Sequence, residues 1–326
     1  MAILITGGAG FIGSNLMEKL LSLGKRVVCL DNFDDFYSSE IKKRNIKECQ
    51  KNASCQIING DIRDKKCLDD LFSENKIDFV IHLAARAGVR PSIINPVLYA
   101  DVNVMGTLSL LESMNKFKVD KLIFASSSSV YGNNLKIPFN ESDRVDFPIS
   151  PYAATKKSAE LLTYSYHHLY NLSVINFRFF TVYGPRQRPD LAIHKFFYNL
   201  YSGLPIEIFG DGNTGRDYTY IDDIIDGIIK GMDFLQHRTK SIYEIINLGN
   251  NRPVLLKELI KEIELVADKT FEKVNSPLQQ GDVNQTFADI SKAKKMLNYL
   301  PETGMHEGLK KFKVWFLEHN RINITE

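Results

Sequence analysis

The sequence predicts an α/β fold: a doubly wound parallel sheet covered by helices on both faces, followed by a smaller C-terminal α/β lobe. Throughout the first half, short β-branched runs alternate with segments whose apolar residues recur at helical spacing. Strands interleaved with helices need right-handed crossovers, which place helices on both faces of a parallel sheet. From about Gly184 onward, loops rich in Pro, Gly and Arg separate shorter elements, so we expect a second lobe there.

The first βαβ unit has the clearest pattern. Residues 2–6 form a short apolar run, residues 11–23 repeat apolar side chains at helical spacing, and residues 26–30 form a β-branched run. Similar runs predict strands at 55–59, 79–83, 122–125 and 172–178. Helical patterns between them predict helices at 65–72, 99–116 and 152–170.

Composition and charge exclude several classes of protein. The net charge is +2, which is too small for a nucleic-acid-binding surface, and no run approaches the about 18 apolar residues of a membrane-spanning helix. The four cysteines form no C-x-x-C pair and the histidines form no H-E-x-x-H motif, so we predict no metal site. This cysteine usage favours the reducing cytoplasm.

A glycine motif follows the first predicted strand and opens the first predicted helix. Gly8-x-Gly10-x-x-Gly13, preceded by Gly7, permits a tight turn and the close approach of a pyrophosphate to the helix N-terminus. Asp31 ends the second strand, where its carboxylate can accept both ribose hydroxyls of an adenosine and would repel a 2′-phosphate. The context predicts a Rossmann-type site for NAD rather than NADP.

Two further segments fit the walls of such a site. Asp61, in Gly60-Asp61-Ile62, follows a strand and can accept from the adenine amino group, or it caps the helix at 65–72. Leu83, Ala84 and Ala85 are small or apolar residues at the carboxyl edge of the sheet, where cofactor phosphates and ribose would lie.

Tyr152 and Lys156 lie one helical turn apart and so share a face of the predicted helix. A tyrosine with a pKa of about 10 is a poor base at neutral pH, but a nearby ammonium and an oxidised nicotinamide both favour its phenolate. The serines at 126–129 close the preceding strand, and one of their hydroxyls can hold the reacting oxygen beside the tyrosine. Together these residues predict a hydride-transfer site.

Three motifs resemble the extended short-chain dehydrogenase/reductase family of nucleotide-sugar enzymes: residues 6–13, Ser127-Ser128-Ser129-Val130-Tyr131-Gly132, and Tyr152-x-x-x-Lys156. The resemblance covers nearly the whole chain and implies a UDP-sugar substrate with NAD retained through the cycle. It implies that Ser127 is the catalytic hydroxyl beside Tyr152 and Lys156, that Arg216 binds the substrate phosphates, and that Asp282 contacts the uridine ribose. It also implies cofactor contacts for Phe11, Ile12, Asn32 and Ile62, and substrate contacts for Ser128 and Ser129.

On this basis we divide the chain into an NAD-binding Rossmann domain at 1–183 and a mainly substrate-binding lobe at 184–326, with some later chain returning to the first sheet. Residues 184–190 and 209–217 are predicted ligand loops because they are long and rich in Gly, Arg and Asp. By the same resemblance, the apolar stripes at 98–114 and 159–168 form core and a four-helix homodimer interface.

The resemblance implies a 4-epimerisation rather than a dehydration, because dehydratases of the family carry acidic residues after the catalytic hydroxyl where this chain has Ser128 and Ser129. Thr181 stands where most relatives have Asn, and Arg188 follows in the next loop. With residues 85–92, these departures resemble the branch of the family that epimerises UDP-glucuronate at C4. A compact hydroxyl and a guanidinium fork suit a C6 carboxylate.

Several alternatives remain at this stage. The enzyme alternatives are a 4-epimerase of neutral UDP-hexoses, such as UDP-glucose or UDP-N-acetylglucosamine, and a UDP-glucuronate decarboxylase. A non-catalytic NAD-sensing protein could dispense with Tyr152, Lys156 and Ser127. Arg86 and Arg90 line the substrate entrance, or Arg90 caps a helix end. Arg186 and Arg188 bind substrate, or they belong to a solvated loop.

Overall fold

Strands and helices alternate along most of the chain. We describe residues 1–277 and 285–320 of a computed structural model. The strands are β1 (Ala2–Thr6), β2 (Arg26–Asp31), β3 (Cys55–Asn59), β4 (Phe79–His82), β5 (Lys121–Ser127), β6 (Ser173–Phe179), β7 (Thr181–Tyr183), β8 (Ile206–Phe209), β9 (Gly215–Tyr220), β10 (Tyr243–Leu248), β11 (Pro253–Leu255) and β12 (Lys273–Ser276). The helices are α1 (Phe11–Ser22), α2 (Ser39–Ile46), α3 (Lys65–Glu74), α4 (Val89–Ile94), α5 (Pro96–Ala100), α6 (Gly106–Lys116), α7 (Pro151–Tyr170), α8 (Ala192–Tyr201), α9 (Ile221–Gln236), α10 (Leu256–Ala267), α11 (Ser291–Leu297) and α12 (Met305–Asn320).

A seven-stranded parallel sheet forms the centre, in the order β3-β2-β1-β4-β5-β6-β10. The predicted doubly wound sheet is confirmed, and its strands and helices lie within a few residues of their predicted bounds. Two apolar layers cover its two faces. The strand order reverses between β1 and β4, and this switch point at the carboxyl edge is where such sheets bind ligands.

The predicted helix at 99–116 begins earlier and changes its pitch. Asn95 caps α5 by accepting a hydrogen bond from the Leu98 amide, and Pro96 occupies the first turn, which together favour a helix start there. A π-helical turn at Asp101–Met105 then joins α5 to α6. Such wide turns often occur at functional sites.

The chain after β6 builds two smaller sheets. β7, β9 and β11 form one of them, and β8 pairs with β12 in the other. The prediction of a loop throughout 209–217 is wrong, because Gly215 to Asp217 begin β9, where they pair with β11. The expected return of later chain to the first sheet is confirmed by β10, which lies beside β6.

Within residues 1–277 and 285–320, no helix combines the length and apolar character that crossing a membrane requires.

Candidate active site

A cavity of about 490 Å³ opens at the carboxyl edge of the large sheet. The structure brings most of the predicted site residues together in its walls. They come from β1, β2, β4, β5, α7 and the chain after β6. The predicted residues that line it are Gly7, Gly10, Phe11, Ile12, Gly13, Asp31, Asn32, Asp61, Ile62, Leu83, Ala84, Ala85, Ser127, Ser128, Ser129, Tyr152, Lys156, Thr181 and Arg188.

The turn between β1 and α1 needs its glycines. Gly7 has φ +71°, and a Cβ atom on it would lie 2.7 Å from the Ala84 nitrogen. A Cβ on Gly13 would lie 2.4 Å from the Gly7 carbonyl oxygen, so α1 can sit this close to the turn only with glycine there. Gly10 precedes α1 and lines the cavity. The amides at the start of the helix therefore face a space that suits a diphosphate.

Asp31 lies at the next strand end. Its carboxylate accepts hydrogen bonds from the Ala9 amide (3.0 Å) and the Phe33 amide (2.9 Å) while it lines the cavity. Burial raises the pKa of this carboxyl group. The position and the remaining acceptor capacity of the carboxylate fit ribose hydroxyls.

Asp61 is held by neighbouring side chains. The Arg63 side chain donates two hydrogen bonds to it, the Arg63 amide a third, and Asn32 a fourth at 2.9 Å. The Arg63 contacts lower the pKa of Asp61 to about 2. The alternative role of Asp61 as the cap of α3 is wrong, because Asp64 accepts from the first amides of that helix. Its contact with adenine remains a prediction.

Strand β5 and helix α7 place the predicted catalytic groups. The Lys156 ammonium donates to the Ala125 carbonyl at 2.7 Å, and the Ser127 hydroxyl lies close enough to Tyr152 to act on its pKa. Burial raises the pKa of Tyr152, whereas the Ser127 hydrogen bond and the charge of Arg188 act in the opposite direction. Burial also lowers the pKa of Lys156 to about 7, opposed by the charge of Glu160. In the protein alone the phenol is therefore the stable form.

Arg188 reaches this group from the chain after β7. Its Nε and Nη2 atoms donate to the two carboxylate oxygens of Asp190 at 2.9 and 2.8 Å. Its guanidinium lies 5.4 Å from the centre of the Phe36 ring, also in the cavity wall. Arg188 is thus ordered by contacts and does not belong to a solvated loop. Arg186, two residues earlier, pairs instead with Glu18 at 2.6 Å.

A second cavity of about 530 Å³ adjoins the first, and Thr181 lines both. Arg90 lines the second cavity and lies 5.3 Å from the centre of the Phe209 ring. Arg90 is in the first turn of α4, and its alternative role at a helix end stays a prediction. Arg216 of β9 and Tyr218 also line this cavity. Asp282 lies outside the described residues.

Sequence reasoning missed four residues that organise the site: Phe36, Asn103, Glu160 and Asp190. Asp190 had a signal, since a carboxylate two residues after Arg188 is a natural partner for its guanidinium. Phe36, Asn103 and Glu160 had none, because their partners are distant in the chain.

A family model described as GDP-mannose 4,6 dehydratase matches residues 4–312. The chain belongs to this family. The predicted resemblance to the extended short-chain dehydrogenase/reductase enzymes of nucleotide sugars is thereby confirmed.

Two family members with similar sequences or structures are named for the same reaction. The UDP-glucuronate 4-epimerase of Thermodesulfobacterium geofontis is 46% identical over 317 residues, which cover 97% of this chain and 96% of that protein. A crystal structure of the UDP-glucuronic acid 4-epimerase from Bacillus cereus, in complex with UDP-glucuronic acid and NAD, has a TM-score of 0.92 and 38% identity and covers 98% of this chain and 100% of that one.

A third family member is named for a neutral sugar. The UDP-glucose 4-epimerase from Thermotoga maritima, solved with UDP-glucose, has a TM-score of 0.89 and 33% identity over 98% of this chain and 100% of that one. The fold is thus shared by family members named for uronate and for neutral sugar substrates.

The glycine turn makes a testable prediction about dinucleotide binding. We expect Gly7→Ala to weaken NAD binding by about tenfold or more, because the added Cβ displaces the turn from Ala84. Gly203→Ala is the matched control, since Gly203 has φ +66° but nothing within 4 Å of an added Cβ. NAD content of the purified proteins and titration calorimetry measure the effect. Equal NAD binding by the two variants would contradict the assignment of the turn.

Proposed function

We propose that this protein interconverts UDP-glucuronate and UDP-galacturonate by epimerisation at C4 through a 4-keto intermediate, with NAD kept bound. One observation carries the choice of sugar: the guanidinium of Arg188 lines the same cavity as Tyr152 and Ser127. A neutral hexose would offer this cation only a hydroxymethyl group, whereas a C6 carboxylate pairs with it. The relatives named as UDP-glucuronate 4-epimerases, at 46% and 38% identity, support the same choice.

The residues around the glycine turn fit NAD. The start of α1 would hold the pyrophosphate and Asp31 the adenosine ribose. Leu83, Ala84 and Ala85 would line the wall beside the cofactor phosphates and ribose. Bound NAD supplies the acceptor and donor of hydride at C4, and its positive ring favours ionisation of a nearby phenol. This positive charge would lower the pKa of Tyr152 further, in the same direction as Arg188 and Ser127.

Tyr152 removes the proton of the C4 hydroxyl and returns it when the carbonyl is reduced. Ser127 holds the same oxygen by hydrogen bonding, and its own position is fixed by contacts with Ser129. Lys156 keeps its ammonium at the end of β5 through the Ala125 carbonyl. The sugar must turn between the two half-reactions so that opposite faces of C4 are presented in succession, while these groups hold the same C4 oxygen in both.

The carboxylate needs protection in the intermediate. A 4-keto uronate is a β-keto acid, which loses CO2 when the C5–C6 bond aligns with the carbonyl π system and its electron pair passes to an enolate. Pairing with Arg188 and a hydrogen bond from Thr181 would stabilise the carboxylate and hold it out of that alignment.

The second cavity suits the nucleotide half of the substrate. Arg90 and Arg216 supply positive charge for the diphosphate, and Phe209 and Tyr218 supply apolar and aromatic surface for a base. Most of its lining belongs to the proposed substrate-binding lobe after residue 183. Asp282 remains a proposed contact to the uridine ribose.

The side chains that line the cavity distinguish this proposal from its alternatives, and so does the expected retention of the carboxylate. Ser128 and Ser129 line the cavity where acidic groups of a dehydratase would stand. A neutral-hexose epimerase would gain nothing from the cationic Arg188 in the cavity that holds Tyr152. A decarboxylase would gain nothing from a contact that opposes CO2 loss. An NAD sensor without activity has no use for a partly buried Tyr152 whose pKa Ser127 and Arg188 act to lower against the effect of burial.

The reaction itself is tested by proton NMR. Incubation with UDP-glucuronate should convert the H4 resonance to that of UDP-galacturonate with no added NAD. Tyr152→Phe should reduce the rate by about 10²- to 10⁴-fold because it removes the proton acceptor. Tyr198→Phe, a half-exposed tyrosine of α8, is the control and should turn over normally. Conversion of UDP-glucose but not UDP-glucuronate would refute the proposed substrate.

Arg188→Ala should raise KM for UDP-glucuronate by about 10- to 100-fold, because a hydrogen-bonded charge pair with the carboxylate is lost. It should also release UDP-pentose by-products, which anion-exchange chromatography separates from the epimer. Arg186→Ala removes a neighbouring arginine that pairs with Glu18, so it should leave KM and product purity unchanged. A clean product and normal KM for Arg188→Ala would reject the clamp.

We also infer that the protein is cytoplasmic, with which its four free cysteines are consistent.

We infer as well that two copies of the protein associate through their helices. α4, α5 and the π-helical turn pack against α7, and each of these elements leaves apolar side chains exposed. Exposed apolar side chains on several helices that pack together favour a protein partner at this face. Its exposed members include Ile94, Val97, Met105, Leu161 and Leu169.

Light scattering tests this association. The wild-type protein should have twice the 37.1 kDa mass of the chain, and Val97→Glu combined with Leu161→Glu should give the single-chain mass because the charges would be buried on association. Val314→Glu changes an exposed valine on α12 and should leave the dimer intact. A wild-type monomer would refute the inference.

A further inference from the structure

Two arginines from different parts of the chain lie against one aromatic ring. The guanidinium carbons of Arg86 and Arg188 are each 5.4 Å from the centre of the Phe36 ring. All three side chains line the large cavity. Arginine over an aromatic face gains cation–π attraction and dispersion, and the gain is larger where water is excluded.

The segment that carries Phe36 is anchored independently of Arg188. Arg86 donates to the Asp34 carboxylate at 2.5 Å, and the Phe36 amide donates to the same side chain at 2.8 Å. Lys42 of α2 donates to the Asp34 carbonyl at 2.6 Å. The ring of Phe36 is therefore a fixed surface.

The base of Arg86 is fixed as well. The Asn103 side chain in the π-helical turn accepts from the Arg86 amide at 2.7 Å and donates to its carbonyl at 3.0 Å. Asn103 also donates to Thr155, next to Lys156 in α7. Phe36 is thus connected through Arg86 to the helix that carries the predicted catalytic residues.

Arg188 needs such a surface. Asp190 holds one edge of its guanidinium, but that carboxylate belongs to the same loop and moves with it. Phe36 supplies the contact that comes from outside the loop. The Asp190 pair uses Nε and Nη2, so with the face against Phe36 the Nη1 atom is the group that can be presented to a ligand.

We propose that Phe36 is a positioning residue that determines specificity for the uronate: its ring fixes the Arg188 guanidinium at the place of the C6 carboxylate. This inference rests on the proposed function, because it concerns the same carboxylate. Without the ring, Arg188 stays paired with Asp190 but moves with its loop, and the preference for a carboxylate over a hydroxymethyl group falls.

The test compares binding of UDP-glucuronate and UDP-glucose by titration calorimetry, in a Tyr152→Phe background that suppresses turnover. We expect Phe36→Leu, which keeps an apolar side chain but removes the ring, to reduce the preference for UDP-glucuronate by about tenfold. Phe36→Tyr keeps the ring and should restore the preference. Phe147→Leu removes an exposed arginine–aromatic stack with Arg144 outside the cavities and should change nothing.

A double-mutant cycle separates positioning from general packing. If Phe36 acts through Arg188, Phe36→Leu should cause no further loss of preference once Arg188 is alanine. Equal weakening of both ligands by Phe36→Leu, or a full additional loss in the Arg188→Ala background, would overturn the inference while leaving the proposed function intact. A parent protein that shows no preference for UDP-glucuronate would overturn the proposed function, and with it the role of Phe36.

Discussion

The site depends on the buried attachment of α7 to the ends of β5 and β6. Glu160 of α7 is fully buried, accepts two hydrogen bonds from Arg178 of β6 at 2.9 Å and one from Ser126 of β5 at 2.6 Å. Ser126 stands between Ala125, which binds Lys156, and Ser127, which lies close to Tyr152. Removing one member of a buried ion pair typically costs about 3–5 kcal/mol, so the register between helix and strand is strongly fixed.

The proposed catalytic groups and most of the proposed substrate contacts come from different parts of the chain. The parallel sheet supplies the glycine turn, Asp31 and the serines of β5, each at a strand end where side chains meet at one edge. Thr181, Arg188 and Arg216 come from the chain after β6, which builds the smaller sheets. A shared reaction can therefore serve different sugars when this later chain changes, which agrees with the presence of uronate and neutral-sugar enzymes among the structural neighbours.

Local patterns predicted most of the large sheet because each β-branched run and each amphipathic helix carries its own period. The same reasoning predicted that Tyr152, Lys156 and one of the serines at 126–129 share a site, and the family resemblance selected Ser127; all three residues line one cavity. It failed at 209–217, where Gly and Asp suggested a loop but pairing with β11 makes Gly215 to Asp217 a strand. Residue pairs that are distant in the sequence, such as Phe36 and Arg188, have no local signature, because they meet only when distant segments fold together.

The segment from Asp31 to Phe36 contributes to two proposed binding sites, one for the dinucleotide and one for the sugar. Asp31 lies at the proposed adenosine ribose, and five residues of chain later the Phe36 ring supports the arginine proposed for the sugar carboxylate. Because Asp31 and Phe36 belong to one anchored segment, a ligand that shifts this segment changes the affinity for the other ligand, and thermodynamic reciprocity makes the two changes equal in factor. Under the proposed function, the sugar nucleotide and the dinucleotide would thus alter each other's affinity, and neither would bind independently of the other.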